Sequence, residues 1–179
     1  VNYLIGKIWY RLKVATLTLP NIKDWQRMGL LLPIYTLVAL PIGFYGGFLK
    51  FEPLAASDRT IIEIIAICFV TPAIAEELFF RVLLLPHFTE KFSRATQLIW
   101  AGLSLIAFIA YHPLNGLTFF PAGLETFNNP IFLLLAALLG IVCTLAYLSS
   151  GSLWTSVVLH WLVVITWLLL LGGYGLLNH

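Results

Sequence analysis

Residues 60–85 read TIIEIIAICFVTPAIAEELFFRVLLL, an apolar run interrupted by Glu63, Glu76, Glu77 and Arg81. About 20 predominantly apolar residues suffice to cross a bilayer, so the run is predicted to be a membrane span. Charges at membrane depth are disfavoured and mark function or a buried pair. On a helix Glu77 and Arg81 sit four apart with the acid N-terminal, the better orientation for an ion pair. Glu76 lies about 100° away round the axis. The guanidinium can therefore neutralise one carboxylate while the other stays free for chemistry. The same charges also suit a purely structural pair that locks helices together. Pro72 removes a backbone hydrogen bond and is predicted to kink the helix one turn before Glu76, opening a groove to water.

The rest of the 179-residue chain has the same character, with 60% apolar residues, 10% charged residues and a mean hydropathy of +0.95. Soluble domains average about 25% charged residues, so this composition predicts a multi-pass integral membrane protein. Further spans are expected at about 29–49, 97–112, 130–149 and 152–172, beside the one at about 60–86. The fold class is all-α, a polytopic membrane helix bundle of about five transmembrane helices with no soluble domain attached. Residues 1–28 are read as a basic interfacial segment: Lys7, Arg11, Lys13, Lys23 and Arg27 alternate with Tyr3, Trp9, Tyr10 and Trp25. Residues 29–179 form the transmembrane domain. The chain opens on Val1 rather than Met, which predicts a removed or omitted N-terminal piece.

The formal charge of +2 is too small to argue for nucleic acid. Membrane lipids are the expected surroundings. Cys68 and Cys143 fall inside apolar spans, read as small buried hydrophobes, and share no metal-ligand spacing. Lys and Arg set the orientation. With the N-terminus cytoplasmic, inner segments hold seven of them and outer segments only Lys50 and Arg59. The connection from Pro113 to Pro130 lacks Lys and Arg and contains Phe119-Phe120-Pro121, which predicts a lid or re-entrant piece.

Five side chains inside spans form the candidate catalytic set: Glu76, Glu77, Arg81, His112 and His160. His112 precedes Pro113 and is expected at a helix end or kink. His160 is flanked by Val157, Val158, Leu159, Trp161, Leu162 and Val163, and a buried imidazole needs a partner, for which a carboxylate would serve. Two carboxylates and two imidazoles in a dry bundle suit hydrolysis. Glu76 would be general base on a water, and the histidines would donate to an oxyanion or bind a metal. There is no His-Glu-x-x-His segment and no glycine-rich phosphate loop. A Ser/His/Asp triad lacks its acid, since Asp24 and Asp58 lie in hydrophilic segments.

Three motifs in order, Glu76-Glu77-x-x-x-Arg81, Phe108-x-x-x-His112, and His160 within Gly151-Ser152-Leu153-Trp154-Thr155-Ser156-Val157-Val158-Leu159-His160, resemble the CPBP family. These are the CAAX-processing and bacteriocin-processing intramembrane proteases, also called Abi proteins. The likeness covers about residues 60–167. It implies a helical membrane peptidase whose first glutamate activates water with two histidines assisting. A divalent metal such as zinc stays open as a cofactor, since the family is often called metalloproteases. Implied partners are a membrane-protein or lipidated-peptide substrate, as eukaryotic members trim prenylated CaaX proteins, and a larger membrane complex. The family pattern usually has Asn or Asp four residues after its third-motif histidine; here that position is Val164. Two functions follow: an intramembrane endopeptidase, or a relative without proteolysis that serves as an assembly or immunity factor. A transporter ranks third, because no inverted repeat is visible.

Overall fold

Asn21 sets where the first long helix begins. In the computed structural model, which describes residues 2–178 and side chains from Ile5 onward, α1 (Asn2–Leu17) stops short of Pro20. Val1 and the side chain of Tyr3 lie outside the described residues. α2 (Ile22–Tyr45) then starts on a reciprocal cap: the Asn21 side chain accepts from Lys23 and Asp24 N–H, and Asp24 accepts from Asn21 N–H. The helix therefore opens at Ile22 rather than near residue 29.

The second hydrophobic segment is broken rather than bent. α3 (Asp58–Cys68), capped by Ser57, gives way to a wide π-turn over Phe69–Ile74. Thr71, preceding proline, has φ −133° and ψ 115°, the extended region that Pro72 imposes. One α-turn, α4 (Ala75–Glu77), follows, and then a second π-turn over Leu78–Leu83. Such turns leave backbone acceptors for other elements to satisfy. Ser104 Oγ donates to Phe80 O at 2.5 Å, Arg11 Nη1 to Leu83 O at 2.9 Å, and Trp161 Nε1 to Ile65 O at 2.9 Å.

α5 (Arg94–Thr118) runs through Pro113, so His112 lies inside a helix and not at its end. Proline costs α5 one hydrogen bond, and its last turns pack against α6 (Leu124–Asn128). The expected lid between Pro113 and Pro130 is thus mostly helical: the end of α5, a 3-10 turn over Pro121–Gly123, and α6. α7 (Pro130–Ser150) starts on an Asn129 cap with proline at its first position, α8 (Leu153–Leu170) on Ser152, and α9 (Gly173–Leu177) closes the chain. The fold is an all-α membrane bundle. Among the described residues α2, α5, α7 and α8 are each long and apolar enough to cross a bilayer. The segmented run from Asp58 to Leu83 is the fifth apolar segment.

Hydrogen bonds sort the connections into two faces. On one, α1 meets residues 87–90 through Arg11 and Glu90, His87 Nε2 donates to Gly151 O at 3.0 Å, and Arg27 reaches Ser149 O at 3.3 Å. Gly151 turns the chain at φ +65°, and a Cβ there would fall on the Phe88 ring. On the other face, Lys50, Glu52 and Leu54 N–H groups donate to the carbonyls of Leu171, Leu170 and Leu169, strapping the end of α8. Thr126 Oγ donates there to Leu176 O at 2.8 Å. α5 and α8 therefore run in the same direction, with α7 antiparallel to both. Tyr35, Ala39, Leu135, Leu139, Val142, Ala146 and Leu159 fill the core where α2, α7 and α8 meet.

Candidate active site

Glu76 and Glu77 project from α4, between the two π-turns, in different directions. Glu77 is fully buried and faces Arg81, whose Nε lies 3.2 Å from Glu77 Oε2. Arg81 has no exposure either. Its Nη2 reaches Gly140 O at 3.3 Å and its guanidinium lies over the Phe108 ring at 4.7 Å, while Nη1 has no hydrogen-bond partner among the described residues. The same Glu77 accepts from His160 Nδ1 at 2.9 Å. Glu77 thus serves a cation and an imidazole at once, and the partner His160 required is this carboxylate rather than Glu76.

Glu76 faces a cavity of about 740 Å³, with 11% of its side chain exposed, and its Oε2 has no hydrogen-bond partner among the described residues. His160 Nε2 lies 3.9 Å from that oxygen. His112, Phe108, Tyr111, Asn115 and Val164 line the same cavity; Glu77 and Arg81 do not. The two imidazoles meet on Phe108, whose ring centroid is 4.8 Å from that of His112 and 6.1 Å from that of His160, both edge-on.

The acceptors fix the ring tautomers. His112 Nδ1 pairs with Phe108 O at 2.8 Å, and a carbonyl only accepts, so Nδ1 carries the proton. The Glu77 carboxylate imposes the same on His160. In its neutral form each imidazole is left with its lone pair on Nε2. Metal-binding histidines have this arrangement, with the other ring nitrogen donating to a carboxylate or carbonyl. Two Nε2 lone pairs with the unpartnered Glu76 oxygen make, by donor type, a His₂Glu set of the kind that binds zinc in catalytic sites. Among the described residues the group whose donor atoms all lie within 4.8 Å of one another is instead Glu77, Cys143 and His160. That trio is a poorer cage: Arg81 already compensates Glu77, and His160 would have to surrender its Nδ1 proton.

The five residues singled out in the sequence are thereby placed: Glu76, His112 and His160 at the cavity, Glu77 and Arg81 behind it. Sequence reasoning passed over Phe108 as the shared platform, Cys143 beside Glu77, and Tyr111 and Asn115 in the cavity wall. Asn115 had a signal, as a polar residue three positions after His112 on one helical face.

The bundle and site define a class, helical membrane proteins with a buried glutamate–histidine centre. Residues 58–166 match the family model of the type II CAAX prenyl endopeptidase Rce1-like proteins, and the chain belongs to that family. The match takes in Glu76, Glu77, Arg81, His112, His160 and Val164. No curated protein and no solved structure matches the chain.

Proposed function

We propose that the chain is an intramembrane endopeptidase that hydrolyses a peptide bond in or beside the membrane, in a prenylated CaaX-type peptide or a membrane protein. One observation carries this reading: a carboxylate oxygen without a partner shares a cavity with two imidazole nitrogens whose lone pairs are free. Glu76 holds a water and accepts its proton as the oxygen attacks the scissile carbonyl. The proton then passes to the leaving amine, and Glu76 returns to its ionised form. Glu77 and Arg81 act at one remove, fixing the tautomer and direction of His160. A divalent ion held by His112 Nε2, His160 Nε2 and a Glu76 oxygen would act as a Lewis acid and acidify its bound water.

Glu76→Gln keeps the shape of the side chain and removes the base. With a farnesylated, internally quenched CaaX peptide in detergent or liposomes, wild type should cleave and Glu76→Gln should lose at least about 10²-fold in kcat, as general-base catalysis is worth that much. Equal turnover by the two proteins would overturn the assignment. Val164 supports a second reading, an assembly or immunity factor that retains the bundle without turnover, because an aliphatic side chain lines the cavity where the family pattern has an amide or acid. Wild type inactive on both prenylated and unprenylated peptides, yet folded, would favour that reading. We also place the N-terminus on the cytoplasmic side, α1 at the lipid interface as part of the basic segment 1–28, and membrane lipids around the whole.

A further inference from the structure

We propose that Asn115 takes over the work of the amide missing at position 164, donating its side-chain N–H to the oxyanion that forms on the substrate carbonyl; the inference rests on the peptidase reading above.

The need for a donor follows from the tautomers. With both imidazoles in their neutral form, Glu76, His112 Nε2 and His160 Nε2 all present lone pairs to the cavity. A tetrahedral intermediate with negative oxygen needs hydrogen-bond donors aimed at it, and donors of that kind contribute more to rate than most other groups. Of the hydroxyls lining the cavity, Thr36 already donates to Pro33 O and Thr166 to Leu162 O. Tyr35, Thr71, Tyr111, the Trp167 indole N–H and the Asn115 amide remain uncommitted among the described residues.

Position selects Asn115 from these five. α5 and α8 run the same way, and their histidines share the Phe108 ring. Val164 stands four residues beyond His160, about 6 Å further along α8, and Asn115 three beyond His112, about 4.5 Å further along α5. Both steps go toward the strapped face, so the two positions sit at matching depth on opposite walls of one cavity. An amide on α5 can serve the space that an amide at 164 would serve from α8. Tyr111 lies level with the histidines, its ring centroid 5.9 Å from that of His112, and Thr71 lies in the first π-turn; Tyr35 packs in the core of α2, α7 and α8, and Trp167 stands seven residues beyond His160, about 10.5 Å along α8.

The test moves the amide across the cavity. Wild type, Asn115→Leu, Asn115→Asp, Val164→Asn, the double variant Asn115→Leu/Val164→Asn and Glu76→Gln are purified and assayed on the farnesylated quenched peptide. Asn115→Leu should lower kcat by about 10²-fold with KM within about threefold, the usual loss for one oxyanion donor. Asn115→Asp, nearly isosteric but without the donor, should fall equally and answers for folding should the leucine variant not accumulate. The double variant should regain most of the loss. Turnover by Asn115→Leu or Asn115→Asp near the wild-type rate, with Glu76→Gln inactive, would overturn this inference and leave the peptidase reading standing. Failure of the double variant to recover while folded would also overturn it. Wild type inactive throughout would remove both.

Discussion

Arg81 carries a charge with no exposure to solvent, and its surroundings explain how that is tolerated. The Glu77 carboxylate compensates it, the Gly140 carbonyl accepts from it, and the Phe108 face lies beneath it. Removing one member of a buried pair strands the other and typically costs about 3–5 kcal/mol. Arg81→Met should therefore cut the yield of monodisperse protein from detergent extracts, whereas Glu76→Gln should leave it at the wild-type level. Equal losses in the two variants would mean that the two glutamates are not divided between support and chemistry. The Glu77–Arg81 contact was readable in the sequence because it is local, one helical turn. The bond from His160 to Glu77 was not, because it joins residues 83 apart and depends on how α8 meets α4.

At the level of elements, the least legible part was the second apolar segment. Proline announced a disturbance, but the second π-turn has its carbonyls met by tertiary donors, Ser104 and Arg11, that no local pattern reveals. α1 holds this segment through the loop at 87–90. Lys7 lies 3.0 Å and Arg11 Nε 2.5 Å from Glu90, which also accepts from His87 N–H at 2.8 Å. Burial alone would raise the Glu90 pKa, but the hydrogen bonds from Arg11, the His87 backbone and Lys7 outweigh it and hold the carboxyl below its ordinary range. A depressed carboxylate pKa stabilises above the unfolded value, about 4.3 for Glu, and the contribution is lost as pH falls through the folded value. Docking of α1 should be constant from neutral pH to about 5 and loosen below about 4. Hydrogen exchange across α1, corrected for intrinsic rates, should report this, and Glu90→Gln should exchange faster at neutral pH with no acid step. An acid step that survives in Glu90→Gln would assign the dependence to another group.

For the whole molecule, the number and order of apolar segments were legible from composition, since length and hydropathy suffice to find a span. Helix ends were not: α2 began early on the Asn21 cap, and α5 continued past Pro113. Orientation is argued from charge. Single cysteines introduced near Lys91 and Glu125, in a background with Cys68 and Cys143 replaced, should differ in reaction with an impermeant maleimide. Glu125 should label from outside and Lys91 only after permeabilisation, and the reverse would invert the topology.

The clasp on the N-terminal face also bears on the order in which the protein is made. Tyr10 and Arg11 bond to partners 79 residues downstream, and Thr16 O accepts from Trp154 Nε1, 138 residues later. Ribosomes add about 5–20 residues per second. α1 must therefore wait on the order of ten seconds before its last partner exists. During that interval its exposed Ile5, Ile8 and Trp9 have only lipid or an insertion factor to rest on.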